Sequence, residues 1–179
     1  MMKYAWRMHD VPAFEPLAAD ISKNDRYIAL RRYVDLLTEG ETDWLANLAN
    51  VSAAIYEQVP NLNWAGFYLM RGDELVLGPF QGRPACVRIK VGRGVCGTAA
   101  ATRVSQVVPD VQAFPGHIAC DARSRSEIVV PIVVNDLVVG VLDLDSAELR
   151  NFDIEDRRAL ETIVRDLIPR VDWMAATHI

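Results

Sequence analysis

Positive charge is in the minority in this chain: 19 Lys and Arg stand against 24 Asp and Glu, a formal net charge of −5. No basic excess is available to neutralise phosphates, which argues against nucleic acid as a partner. Long hydrophobic runs are missing too. Apolar stretches such as EIVVPIVV (127–134) are strand-sized, well short of the ~20 residues that cross a bilayer as a helix. The first residues, MMKYAWRMHDVPAFEP, carry charge and prolines where a signal peptide needs a continuous apolar segment, so a cytoplasmic location is expected. Cysteine is scarce and odd in number: Cys86, Cys96 and Cys120. Their spacing fits neither a CxxC redox pair nor a zinc set. In a reducing compartment a permanent structural disulfide is the exception, and transient or catalytic thiols are the usual reason for one.

What is present is a globular balance, 51 % hydrophobic and 24 % charged over 179 residues, which one ordinary domain accommodates. Residues 1–22 have no clear period and contain Pro12 and Pro16, so they read as an N-terminal extension to a single domain over 23–179. From Asp25 to Thr38 the positions Tyr27, Leu30, Val34 and Leu37 recur at helical steps, and Gly40 can end that helix. Thr42 is the predicted N-cap of a second helix, with Leu45, Leu48, Ser52, Ile55 and Val59 on one face and Pro60 as its stop. Strands are predicted at 63–70 and 74–80 around a Gly72-Asp73 turn, and again at 86–91 and 105–108. A short alanine-rich helix near 96–102 lies between the last two. Strands at 127–134 and 137–145 meet at Asn135-Asp136. Asp153 is the predicted N-cap of a last helix striped by Leu160, Ile163, Leu167 and Val171. Helix–helix–strands–helix with a mostly antiparallel sheet is an α+β domain. The connection 109–126 has no period of its own, and loops of that size in compact domains are commonly functional.

Cys120 lies in that connection, in PGHIACDARSRSEIVVP, where neighbouring residues offer little apolar packing. Cys96 stands where a glycine-rich turn meets a helix N-terminus, whose unpaired amides lower a thiol pKa. Local physics leaves Cys120 and Cys96 as equal candidates for a nucleophile, against the plainer reading of Cys96 as a small packing residue. Cys86 opens a strand after Pro84 and reads alone as half-buried. In VLDLDS, Asp143 and Asp145 are two apart on a strand and project from one face, with Leu142 and Leu144 on the other. Glu127 begins the strand before, so three carboxylates can meet at one end of the sheet. Such crowding is costly unless a cation binds or one group keeps its proton. His117, the only central histidine, could pair with Cys120, although a loop histidine is more often solvated. The glycines of VGRGVCG lack the context of a phosphate-binding loop.

NWAGFYL, LGPFQGRPACVRI, VGRGVCGTA, GHIACDARSRSEIVVP and GVLDLDS together resemble the free methionine-(R)-sulfoxide reductases, a catalytic branch of the GAF-domain family, from about Gly40 to about Leu167. The resemblance implies a GAF fold: a central antiparallel sheet, helices on one face, and a loop-covered ligand pocket on the other. It implies that Cys120 sits at the substrate sulfur, that Cys86 forms a disulfide with it, and that Cys96 is the third family cysteine. Glu127, Asp143 and Asp145 match the acidic groups of the pocket, and Trp64 and Tyr68 its aromatic wall. The implied activity is that of an L-methionine (R)-S-oxide reductase, with thioredoxin or a similar dithiol as reductant. It calls for no cofactor and no metal, and a homodimer is left open. A non-catalytic GAF small-molecule sensor is the alternative, and a cysteine hydrolase built on Cys120 and His117 is the third reading.

Overall fold

The structure is a computed structural model that describes residues 17–18, 20–118 and 121–177. The proposed N-terminal extension lies mostly outside these residues, as does Cys120. The first helix, α1 (Lys23–Thr38), starts two residues before the predicted one because Ser22 caps it, accepting from the Asp25 amide. In α2 (Trp44–Gln58) the cap is Asp43 and not Thr42: the Asp43 carboxylate takes the Ala46 amide at 2.9 Å. The predicted face holds at Leu48, Ser52, Ile55 and Val59, all buried, and fails only at its first position. Leu45 is 51 % exposed, while Val51 and Ala54 join Leu48 and Ile55 in the core.

Next come β1 (Leu62–Arg71) and β2 (Glu74–Gly82), a hairpin whose turn uses Gly72 at φ +62°. Only Arg88–Lys90 of the predicted 86–91 strand pairs, as β3, and Val87 is exposed. A short helix, α3 (Gly94–Thr102), precedes β4 (Gln106–Val108). The connection that follows contains one 3-10 turn at Val111–Ala113. The strands β5 (Ser126–Val134) and β6 (Leu137–Ser146) meet at Asn135 and Asp136, both at positive φ, the geometry of a two-residue hairpin turn. The helix α4 (Ile154–Leu167) has a full capping box between Asp153 and Asp156, and α5 (Trp173–Thr177) ends the described chain.

The strands form one six-stranded sheet, ordered β3-β2-β1-β6-β5-β4, with every neighbouring pair antiparallel. Alternation along the central strands divides its side chains between two layers. Ala65, Phe67 and Leu69, with Ile128, Val130, Leu142 and Leu144, pack under α1, α2 and α4 in the main core. Trp64, Tyr68, Val129 and Val141 face the other way and pack with α3. This second, smaller layer contains the pocket.

Candidate active site

The parity that sends Leu142 and Leu144 into the main core sends Asp143 and Asp145 to the opposite face. Register then completes the cluster. Asp145 lies between Trp64 on β1 and Glu127 on β5, while Asp143 lies between Gly66 and Val129. Gly66 adds no side chain there, and a Cβ at that position would come within 2.4 Å of the Phe80 Cβ.

Cys96 enters from above, on the first turn of α3. Gly97 allows that approach: a Cβ there would lie 2.4 Å from the Lys90 carbonyl oxygen. The Cys96 thiol donates towards Glu127 Oε1 at 3.8 Å and also meets the Asp143 carboxyl. Trp64 and Tyr68 form the wall, stacked at 5.8 Å between ring centroids, and the Tyr68 hydroxyl donates to the Cys86 carbonyl at 3.0 Å. Cys86 is disulfide-bonded, whereas Cys96 is a free, buried thiol. Six of the site residues expected from the sequence thus meet in one narrow cavity: Trp64, Tyr68, Cys96, Glu127, Asp143 and Asp145.

Electrostatics in the pocket are dominated by burial. Glu127 is held well above the ordinary carboxylate range by loss of water and by the charges of Asp143 and Asp145. Asp143 is pushed up to about 7 by burial, partly offset by hydrogen bonds from Cys96 and Glu127. Burial and Asp143 also raise Asp145, against a hydrogen bond from Ser124. The expectation that a helix N-terminus activates Cys96 is reversed. Burial, then Asp143 and Glu127, drive that thiol well above its ordinary value. A helix end supplies about 1 kcal/mol, under one pKa unit, while full burial moves a group by up to about 3–5 units.

Several neighbours were not expected. His117 is not a solvated loop residue: its side chain is 17 % exposed, with Nε2 4.0 Å from Glu127 Oε2, and burial lowers its pKa. Asn63 donates to the Ser124 hydroxyl at 3.0 Å and to Asp121 at 3.3 Å, while Arg123 closes on Asp121 at 2.6 Å. These bonds tie the segment after the cysteine loop to β1. Two polar atoms of the lining, Trp64 Nε1 and Asp143 Oδ1, are buried with no hydrogen-bond partner among the described residues.

A sheet with helices on one face and a ligand cavity on the other defines a GAF domain, and the GAF-domain family model matches residues 46–167. A free methionine-R-sulfoxide reductase of Escherichia coli is 54 % identical over 147 residues, covering 82 % of this chain and 89 % of the relative. One from Saccharomyces cerevisiae is 47 % identical over 137 residues, 72 % of this chain and 76 % of that one. The solved structure of the Neisseria meningitidis enzyme in complex with its substrate superposes with a TM-score of 0.84 at 45 % identity, covering 88 % and 94 % of the two chains. The chain belongs to the free methionine-R-sulfoxide reductase family of GAF-domain proteins.

Proposed function

We propose that the protein reduces free L-methionine (R)-sulfoxide to L-methionine by cysteine chemistry. The observation that carries this reading is the meeting of buried Glu127 and Asp143 with half-buried Asp145 beneath an aromatic wall, in a chain at 54 % identity to a reductase of that name. Free methionine sulfoxide is a zwitterion. Its ammonium suits a carboxyl cluster poised to ionise beside a cation, with the Asp143 pKa at about 7, and Trp64 and Tyr68 suit its methyl terminus. Arg93 and the amides that open α3 line the same pocket and are the natural partners of its carboxylate.

In this reading the thiolate of Cys120 attacks the sulfoxide sulfur, and Glu127, whose carboxyl retains its proton in the buried site, delivers that proton to the departing oxygen. That oxygen passes as hydroxyl from the methionine sulfur to the Cys120 sulfur as the bond between the two sulfurs breaks, so methionine leaves as the thioether and Cys120 is left as a sulfenic acid. The Cys86 thiol condenses with it, releasing water and forming a disulfide. An external dithiol, thioredoxin or one like it, reopens that bond by exchange and is itself oxidised. Cys96, buried and held as a thiol, acts as a hydrogen-bond donor to the carboxylates rather than as the first nucleophile. A cytoplasmic location suits the supply of reductant; among the described residues no helix is long and apolar enough to cross a membrane. A GAF sensor would have no use for a disulfide-bonded cysteine beside the pocket, which favours the enzyme over that alternative.

The test is NADPH consumption with thioredoxin, thioredoxin reductase and separated sulfoxide epimers. The R epimer of the free amino acid is expected to turn over, and sulfoxide within a peptide is not, because its amine is no longer a cation. Equal use of both epimers, or of peptide-bound sulfoxide, refutes the assignment.

A further inference from the structure

The pocket floor that the reductase reading uses for ammonium binding and proton delivery also combines one sulfur and two carboxylates in the manner of a metal site. One ligand atom from each of Cys96, Glu127 and Asp143 lies within 4.8 Å of the others, and all three residues are buried. Cys96 Sγ and Glu127 Oε1 are 3.8 Å apart. In a tetrahedral zinc site with metal–sulfur and metal–oxygen bonds of about 2.3 and 2.1 Å, the sulfur–oxygen edge is about 3.6 Å. The observed edge is within a few tenths of an ångström of the zinc value, and the edges to Asp143 lie within 4.8 Å.

A second observation points to a ligand. Asp143 is 5 % exposed and lines the cavity, yet its Oδ1 has no hydrogen-bond partner among the described residues. A buried carboxylate oxygen without a donor is costly, and a cation is what it lacks. The free space is about 30 Å³, enough for one or two waters and so for one small ion. His117 Nε2 lies 4.0 Å from the other oxygen of Glu127 but outside the cluster formed with the Cys96 and Asp143 donors, so water would complete the shell.

We propose that this pocket binds one Zn²⁺ ion through Cys96, Glu127 and Asp143, and that the ion and an amino-acid ammonium compete for the same carboxylates. A thiolate donor favours zinc over the hard cations magnesium and calcium. The thiol proton of Cys96 passes to solvent as the metal–sulfur bond forms, so binding needs no redox partner. The ion is an inhibitor here: it occupies the carboxylates that hold substrate. Metal binding stands apart from the proposed activity, whereas the competition rests on it.

The experiment uses the full chain with its disulfide intact and Co²⁺ as the spectroscopic probe. One equivalent is expected to bind with a thiolate-to-cobalt charge-transfer band, which Zn²⁺ abolishes by displacement. Cys96→Ser should lose the band, and Asp143→Asn should keep it but weaken Co²⁺ binding at least tenfold. A wild-type protein without the band, or a Cys96→Ser variant that retains it, overturns the site. If Cys96→Ser does not fold, Asp143→Asn decides, and unchanged Co²⁺ affinity in that variant overturns the site equally. Free methionine sulfoxide should displace Co²⁺ in the same titration. If it binds without displacing the metal, the competition falls. Turnover that is absent from a chain with an intact cobalt site would refute the reductase reading and leave the metal site standing.

Discussion

Replacing Asp143 by Asn should make the protein more stable at pH 8 while impairing its capture of substrate. The folded-state pKa of Asp143 is pushed from 3.8 up to about 7, first by burial. The sign follows directly. A carboxyl with a raised folded pKa holds a proton that the unfolded chain releases, so stability falls as pH climbs from about 4 and has fallen in full above about 7. A rise of roughly three units corresponds to about 4 kcal/mol at about 1.4 kcal/mol per unit. The group is fully buried, so solvent screening removes little of this. By pH 5 the unfolded chain is already mostly ionised and about a third of this has been lost, which leaves roughly 3 kcal/mol to disappear between pH 5 and pH 8. Asn has the same shape and cannot ionise. It also relieves Glu127 and Asp145, both of which Asp143 pushes upward. Thermal unfolding of the oxidised wild type and of Asp143→Asn at both pH values measures the difference. The variant's advantage should grow by roughly 6–12 °C on moving from pH 5 to pH 8. Its KM for methionine sulfoxide should rise, because the charge facing the ammonium has gone. Parallel loss of stability in the two proteins over that range would refute the reasoning.

Three further perturbations separate the roles assigned to individual residues. Glu127→Gln keeps shape but removes the acid, so kcat should fall by roughly 10²–10⁴-fold with little change in KM; an unchanged kcat in steady-state assays would move the acid to Asp143 or Asp145. Cys120→Ser should release no methionine in a single turnover, while Cys86→Ser should release one equivalent and stall, and non-reducing peptide maps of wild type after substrate should join Cys86 to Cys120. A stoichiometric burst from Cys120→Ser, or a bridge through Cys96, would transfer the nucleophile to Cys96. Gly97→Ala would place a methyl 2.4 Å from the Lys90 carbonyl and force α3 away from β3; overpacking of this kind costs about 1–3 kcal/mol, which urea denaturation should register together with weaker substrate binding.

The main elements of the fold were legible because their periods are clear. The α4 stripe of Leu160, Ile163 and Leu167 is fully buried, and its Asp153 cap is where the sequence suggests. The errors lie where local signals compete. Thr42 and Asp43 are both good caps by residue type, and Leu45 keeps the spacing of the stripe but sits in the first turn of α2, where it is exposed while Leu48, Ser52, Ile55 and Val59 are buried. The strand predicted at 86–91 keeps only three paired residues, Arg88–Lys90 against Glu74–Val76, with one further bond from the Leu77 amide to the Val87 carbonyl. Such partner lengths are a tertiary property with no local trace.

The site divides along the same line. That Asp143 and Asp145 share a face is arithmetic on a period of two, but Glu127 joins them only because the β5–β6 register shifts by one residue between Ile132 and Val133; the register of the Asn135-Asp136 turn, carried on unchanged, would set Glu127 opposite Leu144. The behaviour of Cys96 could not be read in this way, since nothing in VGRGVCGT says that the first turn of α3 points into a carboxylate cluster. Its helix-terminus advantage is real but small, and burial beside Asp143 and Glu127 outweighs it. The same crowding that keeps Cys96 a thiol keeps a proton on a nearby carboxyl, and a reaction that discards an oxygen needs a proton donor. Donor and nucleophile must therefore be different kinds of group in different surroundings. A buried thiol that shares the acid's environment cannot also be the thiolate, and the proposed reaction accordingly gives the attack to Cys120, which lies outside the described residues.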